Sequence, residues 1–287
     1  MNHEQLLNKV FNALPSLREF HHRDGSTYQL LEEVVVHATQ EIFGEKGPQR
    51  ATLGVLGEIL FPYVSMGAIN STHLFGLDEL IIFTFYIRNM RNYRRVADIG
   101  ANIGLHSTIL AKLGYEVECF EPDPHHVELL EGNLSRNGVT DRVKIWRKAV
   151  SSHEGSLEFV RVLGNTTGSH LAGAKKDPYG ELEKFNVPTA AFRDVIGRVD
   201  LIKLDVEGHE LSILKDTVAD DWMKTDAVIE VGTPENAKGI FDHMQSIGVN
   251  MFSQKNSWHR ISSLMEMPTS HREGSLFITM RAEMNWS

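Results

Sequence analysis

Cysteine is nearly absent. The single thiol, Cys119, cannot close an internal disulfide or build a zinc site from several cysteines, and it suits a reducing compartment. Long hydrophobic runs are missing as well. The longest, 80–87, is interrupted by Thr84 and falls far short of the ~20 residues that span a bilayer. The opening stretch MNHEQLLNKVFNALPSL lacks the continuous apolar segment of a secretory signal. These absences predict a soluble, cytoplasmic protein with no membrane partner. Basic excess is also lacking: 29 Lys plus Arg stand against 38 Asp plus Glu, a net charge of −9. Such a chain neutralises phosphates poorly, which argues against nucleic acid as a partner except through a local basic patch. No repeat or low-complexity tract is visible. What remains is ordinary globular composition, 41% apolar and 23% charged, over 287 residues. That length suits one enlarged domain or two small ones. Histidine is plentiful, at 14, a mild hint of metal or proton chemistry.

The texture changes near Tyr93. Residues 1–93 read as a helical N-terminal extension: a weak apolar stripe over 8–17, a regular one over 28–43, and a nearly continuous apolar helix over 79–90 with Asp78 as its cap. From 94 to 287, short strands alternate with helices. Seven strands are expected, at 95–100, 116–122, 143–150, 200–206, 227–232, 249–254 and 275–281. Helices fit at 104–113, 124–137, 210–216 and 235–246. This alternation implies right-handed crossovers and a Rossmann-like, doubly wound, mostly parallel α/β sheet. Apolar strands such as VADIG suit a sheet covered on both faces. An insertion at 153–192 carries one strand-like run, 156–163, and then a Gly/Thr/Ser/Lys-rich loop. The last two strands lack a helix between them, which suits an antiparallel edge pair.

The stretch RRVADIGANIGLHSTILAKLGYEVECFEPDP carries the most chemistry. A strand ends at Asp98, a turn holds Gly100, Asn102 and Gly104, a helix follows, and a second strand ends in Glu121. Glycines let backbone approach a ligand, and an acidic residue after the second strand suits ribose hydroxyls. A pyrophosphate wants glycine at the middle position, where Asn102 stands, and the Asp98 carboxylate would repel it. A ligand bearing ammonium or sulfonium charge fits better, and S-adenosylmethionine has both, plus a ribose. Gly100 and Gly104 could also serve only a tight turn, with Asp98 as a helix cap. Asp123 suits either the adenine edge or a plain N-cap for the helix at Pro124. Ala149, at the end of the third strand, offers backbone beside the same crevice. An NAD-dependent oxidoreductase on this fold and a non-catalytic binding module are the alternatives.

DIGANIG, FEPDP, KAVSSHEG, IKLDVEGHELSIL and IEV together resemble the FkbM-type class I methyltransferase family over about 94–232, and loosely to 281. The resemblance implies S-adenosylmethionine as methyl donor and a hydroxyl on a sugar, polyketide or other small metabolite as acceptor. It implies Asp98, Gly100, Asn102 and Gly104 around the methionine part, Glu121 on the ribose, and 205–210 at the reaction face. The resemblance does not extend to residues 1–93. They are open to roles as a lid, an acceptor contact or a homo-oligomer contact.

Methyl transfer needs positioning and removal of the acceptor proton. The fourth strand ends in Asp205-Val206-Glu207-Gly208-His209-Glu210, at the edge where ligands bind such sheets. His209 has the best intrinsic pKa for a base, with Glu207 next, although His209 and Glu210 also suit a helix start. Asp205 and Glu230 end neighbouring strands and suit a hard cation such as Mg²⁺, while Glu230 equally suits backbone or substrate. In the insertion, Asn165, Thr166, Thr167, Ser169 and His170 offer hydrogen bonds to a small hydroxylated acceptor, or form an ordinary exposed loop. Lys175 and Lys176 suit an anionic acceptor or plain solvation. Trp258 and His259 suit a sugar-stacking wall or a structural role. Met244, Met251, Met265 and Met267 read as core.

Overall fold

The computed structural model describes residues 2–174 and 181–286. The extension folds as α1 (His3–Ala13), α2 (Ser26–Phe43), a small antiparallel hairpin of β1 (Arg50–Thr52) and β2 (Glu58–Leu60), and α3 (Leu77–Arg88). After it come β3 (Arg95–Ile99), α4 (Leu105–Lys112), β4 (Glu116–Phe120), α5 (Pro124–Arg136), β5 (Val143–Trp146) and β6 (Ala149–Ser151). The insertion holds β7 (Gly155–Val162), β8 (His170–Leu171) and β9 (Leu182–Ala191). The chain continues through α6 (Phe192–Ile196), β10 (Leu201–Leu204), α7 (Glu210–Leu214), β11 (Asp226–Glu230), α8 (Pro234–Ser246), β12 (Asn250–Ser253), β13 (His259–Arg260) and β14 (Ser275–Thr279).

A strand lies in each of the seven expected stretches, but the sheet has eight members rather than seven, in the order β13-β12-β14-β11-β10-β3-β4-β5. The eighth member, β13, is a short hairpin arm on β12 that the polar sequence after 254 concealed. Strands β11, β10, β3, β4 and β5 run parallel to one another, and β14 lies antiparallel between β11 and β12. The expected strand 143–150 is broken at Arg147–Lys148. Its second half, β6, leaves to pair with β9 in a separate sheet of order β6-β9-β7-β8. The long strand β9 escaped the sequence reading because LEKFNVPTAA is polar and carries Pro188.

Period-two alternation sorts the main sheet into two faces. Ala97, Ile99, Ile202, Leu204, Ala227 and Ile229 pack on the side of α6, α7 and α8. Val96, Val117, Leu201 and Val228 pack on the other, against α4, α5 and the extension. The extension is no separate unit, since Leu7, Val35, Phe43 and Phe83 share one buried cluster with those strands and with Trp286. Each such side chain, fully buried, stabilises the fold by roughly 1.5–3 kcal/mol. Helix α3 is apolar nearly all round because it lies between the sheet side and the outer helices. Its first-turn Asp78 does not cap it; Gly76 holds that place. Asp78 instead accepts from Arg23 at 2.8 Å and Tyr28 at 2.7 Å, and from Gln254, tying the extension to the end of β12. No helix among the described residues is long and apolar enough to cross a membrane.

Candidate functional site

Between β3 and β10 the chain order reverses, and a cavity of about 640 Å³ opens over the carboxyl ends of β3, β4, β10 and β11. Its floor is the turn after β3. Gly100 and Ala101 both donate to Phe120 O at 3.0 Å, folding the turn against β4. Gly100 has φ +81°, and a Cβ there would meet Asp205 O at 1.7 Å, so only glycine fits. Asn102 is left-handed at φ +51°, and its side-chain oxygen accepts from Ile103 N at 2.7 Å. Its own N–H donates to Glu121 Oε2 at 2.8 Å, while Asp123 N donates to Glu121 Oε1 at 2.8 Å. Burial pushes the Glu121 carboxyl up to about 8, against the pull of those two N–H groups and with help from Asp123 and Asp98. Gly100, Asn102, Glu121 and Ala149 all line the cavity.

Asp98, Gly104, Asp123 and His209 do not line it. Asp98 falls on the α4 face of the sheet, fully buried, where Ser107 donates to it at 2.6 Å. Gly104 is needed for packing: at φ +83° a Cβ would press on Leu130 of α5 at 2.7 Å. Asp123 is the N-cap of α5, accepting from His125 N at 2.8 Å, and Arg161 grips it at 2.6 and 2.7 Å, as the plain-cap reading expects. The His209 ring turns toward β6, with Nε2 at 3.1 Å from Ser151 Oγ, and burial lowers its pKa. In that orientation the ring faces β6 rather than the cavity.

Opposite Glu121 the cavity presents Asp205, Glu207 and Glu230. Glu207 is held left-handed at φ +54°, a strained conformation for a side chain of its kind. Gly208 follows at φ +103°. Glu210 braces this turn, accepting from Gly208 N at 2.9 Å and Asn236 Nδ2 at 2.6 Å, with burial pushing it up to about 7. Burial, with Asp205, Glu207 and Glu79, holds Glu230 well above the usual carboxylate range. The Mg²⁺ reading of Asp205 and Glu230 does not fit. Lys203 Nζ lies 3.1 Å from Asp205 Oδ2, and Asp205, Asp98, Glu79 and Glu230 overcome its burial to raise its pKa. The ammonium is the resident counter-charge of the cluster. No group of three or more His, Cys, Asp or Glu suited to a metal exists among the described residues.

Residues 98–265 match the family model of the methyltransferase FkbM domain. The chain belongs to that family. It is 28% identical over 196 residues to methyltransferase sdnD of Sordaria araneosa, covering 55% of this chain and 74% of that protein. It is 32% identical over 130 residues to the hexuronic acid methyltransferase AglP of Haloferax volcanii, covering 41% of this chain and 47% of AglP. Among solved structures it is similar to methyltransferase FkbM of Methylobacillus flagellatus KT, at 19% identity and a TM-score of 0.43, over 65% of this chain and 44% of that one.

Membership of a methyltransferase family favours the methyl-donor reading of the turn over a dinucleotide. The family match begins at Asp98, yet the cavity extends beyond it. Ile69, His73, Leu74 and Glu79 of the extension form one wall, and Asn165, Thr166, Thr167, Ser169 and His170 of the insertion another. The two walls are sewn together: Ala68 N donates to Gly164 O at 2.7 Å and Thr166 N to Met66 O at 3.0 Å. No motif in 1–93 announced this. His126 was also missed; it lines the cavity with Nδ1 at 3.9 Å from Glu121, and burial lowers it to about 4. Its only sequence signal was the HH pair at the start of α5. Trp258 is no sugar wall, being fully buried with its N–H donated to His21 Nδ1 at 3.0 Å. His259 pairs with Glu19 at 3.2 Å. Met244, Met251 and Met267 are core, whereas Met265 is exposed. Lys175 and Lys176 lie outside the described residues.

Proposed function

We propose that this chain methylates a hydroxyl oxygen of a small hydroxylated acceptor, with S-adenosylmethionine as donor. One observation carries the reading. Two sets of carboxylates, Glu121 on one side and Asp205, Glu207 and Glu230 on the other, face one cavity at the reversal of strand order. The turn residues fit the donor: Gly100 keeps backbone space, and Glu121 presents lone pairs toward a ribose diol. Donor binding supplies a methyl group on a positively charged sulfur. In the transfer, the acceptor oxygen gains the C–O bond, the sulfur keeps the electron pair of the broken C–S bond, and the acceptor proton passes to a carboxylate. Glu207 is the base in this reading, because it lines the cavity and His209 does not. Lys203 holds Asp205 in place and offsets the acidic cluster. The hexuronic acid named for AglP supports a sugar-like acceptor.

The test begins with calorimetric titration of S-adenosylhomocysteine into the wild-type protein and Glu121→Ala. Micromolar binding that the variant loses supports the donor site, and no binding to wild type overturns it. With an acceptor in hand, Glu207→Gln is expected to lower kcat by about 10²–10⁴, the usual contribution of a positioned base, at unchanged donor affinity. His209→Ala is expected to change kcat by less than about threefold if the ring only packs on Ser151. The reverse ranking would return the base to His209.

A further inference from the structure

A second cavity, of about 440 Å³, adjoins the first. The two share His73, Glu79, Glu230 and His271 in their walls, and in the proposal that follows these residues are the passage between them. Beyond the passage the wall is built largely by the extension, through Gln40, Thr72 and Gly76, and closed by Arg272 and Ser275. Its size suits a small-molecule site. Resting on the methyltransferase reading above, we propose that this chamber holds the non-reacting part of the acceptor, and that this part is a hydroxyl-rich glycosyl unit.

The wall chemistry selects that class. Its only hydrophobic residues among those described are Val36 and Leu77, with no Phe, Tyr or Trp, which is a poor lining for a polyketide. Arg23 is consumed by Asp78 and Glu32, each at 2.8 Å, so that trio is neutralised internally. What is left is asymmetric. At the passage stand two acceptors. Glu230 takes no hydrogen bond from any described residue, and Glu79 gives one oxygen to His106 at 2.7 Å and keeps the other. At the far side stand donors. The Thr72 hydroxyl donates to Asn70 Oδ1 at 2.6 Å, with the Gln40 side-chain oxygen 3.2 Å away, and neither the Gln40 amide N–H groups nor the Arg272 guanidinium donates to a described residue. A polyol matches this layout, since each hydroxyl both donates and accepts. An apolar group would leave the Glu79 and Glu230 oxygens at the passage without partners, at a cost of about 1–3 kcal/mol each where they are buried.

Gly76 offers a clean plug. Its backbone, at φ −61° and ψ 166°, suits any residue, and a Cβ would meet only His73 O, at an ordinary 3.5 Å. It lines the second cavity and not the first. The experiment is saturation-transfer NMR on full-length protein loaded with S-adenosylhomocysteine. The probes are methyl α-D-glucopyranoside, methyl α-D-mannopyranoside and a methyl glucuronoside, with a macrolactone of similar size as the apolar comparator. At least one glycoside is expected to bind, and Gly76→Leu is expected to weaken it tenfold or more with donor affinity unchanged, while Gly76→Ala stays within about threefold of wild type. Should Gly76→Leu fail to fold, seen as lost donor binding, Gln40→Leu replaces it and is expected to weaken the glycoside at least fivefold. Glycoside binding that survives the plug, binding of the macrolactone alone, or no acceptor probe binding to donor-loaded protein overturns the proposal and leaves the methyltransferase reading standing. Failure of wild-type protein to bind S-adenosylhomocysteine would overturn that reading first.

Discussion

Donor binding should release a proton from Glu121. Its carboxyl is buried at the end of β4, and burial, with Asp123 and Asp98 nearby, pushes it up to about 8 although Asn102 and Asp123 donate N–H groups to it. In the free protein at neutral pH the group is therefore mostly protonated. A ribose diol donates two O–H groups, which only the ionised carboxylate accepts well. Binding then selects the ionised form. Below about 8 the affinity for S-adenosylhomocysteine should rise close to tenfold per pH unit, or 1.36 kcal/mol, and flatten above it. His126 beside it, lowered to about 4 by burial, stays neutral across this window and contributes no slope.

Calorimetry in two buffers of different ionisation enthalpy measures the released proton directly. At pH 7 the expected release is about 0.9 proton per site, the protonated fraction for a group at about 8. Glu121→Gln removes the titrating group while keeping the shape. It should abolish this part of the pH slope and weaken binding at pH 8.5 by about 1.5–3 kcal/mol, the scale of hydrogen bonds to a charged partner. Subtracting the variant's profile also cancels titration of the ligand's own amine and of Glu210, which is pushed up to about 7 at the far side of the cavity. Equal proton release by wild type and Glu121→Gln would refute the reasoning, as would an affinity that falls between pH 6 and pH 8.

Three further outcomes follow from named contacts. Gly100→Ala places a Cβ 1.7 Å from Asp205 O at φ +81°, so donor binding measured by calorimetry should weaken at least 100-fold, or about 2.7 kcal/mol, and a retained affinity would deny the close approach of the two turns. At Gly67, φ is +91° and a Cβ would lie 2.1 Å from Gly164 O, so Gly67→Val should part the extension from the insertion. Acceptor KM should rise roughly tenfold with donor affinity unchanged, and an unchanged KM would mean that the seam does not shape the acceptor site. His21 is held neutral, its pKa lowered to about 4 by burial, against 6.5 when unfolded. The unfolded chain thus binds more protons between those values, so stability is full above about 6.5 and falls as pH drops toward 4, by up to about 3 kcal/mol. Urea denaturation of wild type and His21→Phe at pH 7 and pH 5 would show it, the variant having the smaller pH difference.

The strands of the main sheet were legible because each is a short β-rich apolar run bounded by glycine, proline or charge, and only the polar arm β13 was not. The turn at Gly100 and the acid at Glu121 were legible because a backbone approach and a ribose diol each demand a particular residue at a fixed spacing. The direction of side chains was readable in principle. Alternation from Ala97 and Ile99 on one face puts Asp98 on the other, under α4. His209 was less readable, since it sits in the turn between β10 and α7, where no period applies, and its packing on Ser151 depends on β6 leaving the main sheet.

The acceptor side was illegible for a deeper reason. The same alternation brings Asp98, Lys203 and Glu230 to the face that the extension covers, and there they meet Glu79. A sheet face bearing those charges would ordinarily be solvated. Covering it with an apolar helix such as α3 would leave buried charge uncompensated, a cost of about 3–5 kcal/mol when one partner is missing. Glu79 sits at the first turn of that otherwise apolar helix, hydrogen-bonded to His106, and Lys203 lies among the surrounding carboxylates. Within LDELIIFTFYIR the glutamate reads as a routine first-turn acid. Its importance appears only when the helix is docked, because the extension and the sheet each hold part of one charge cluster, and the acceptor passage runs between them.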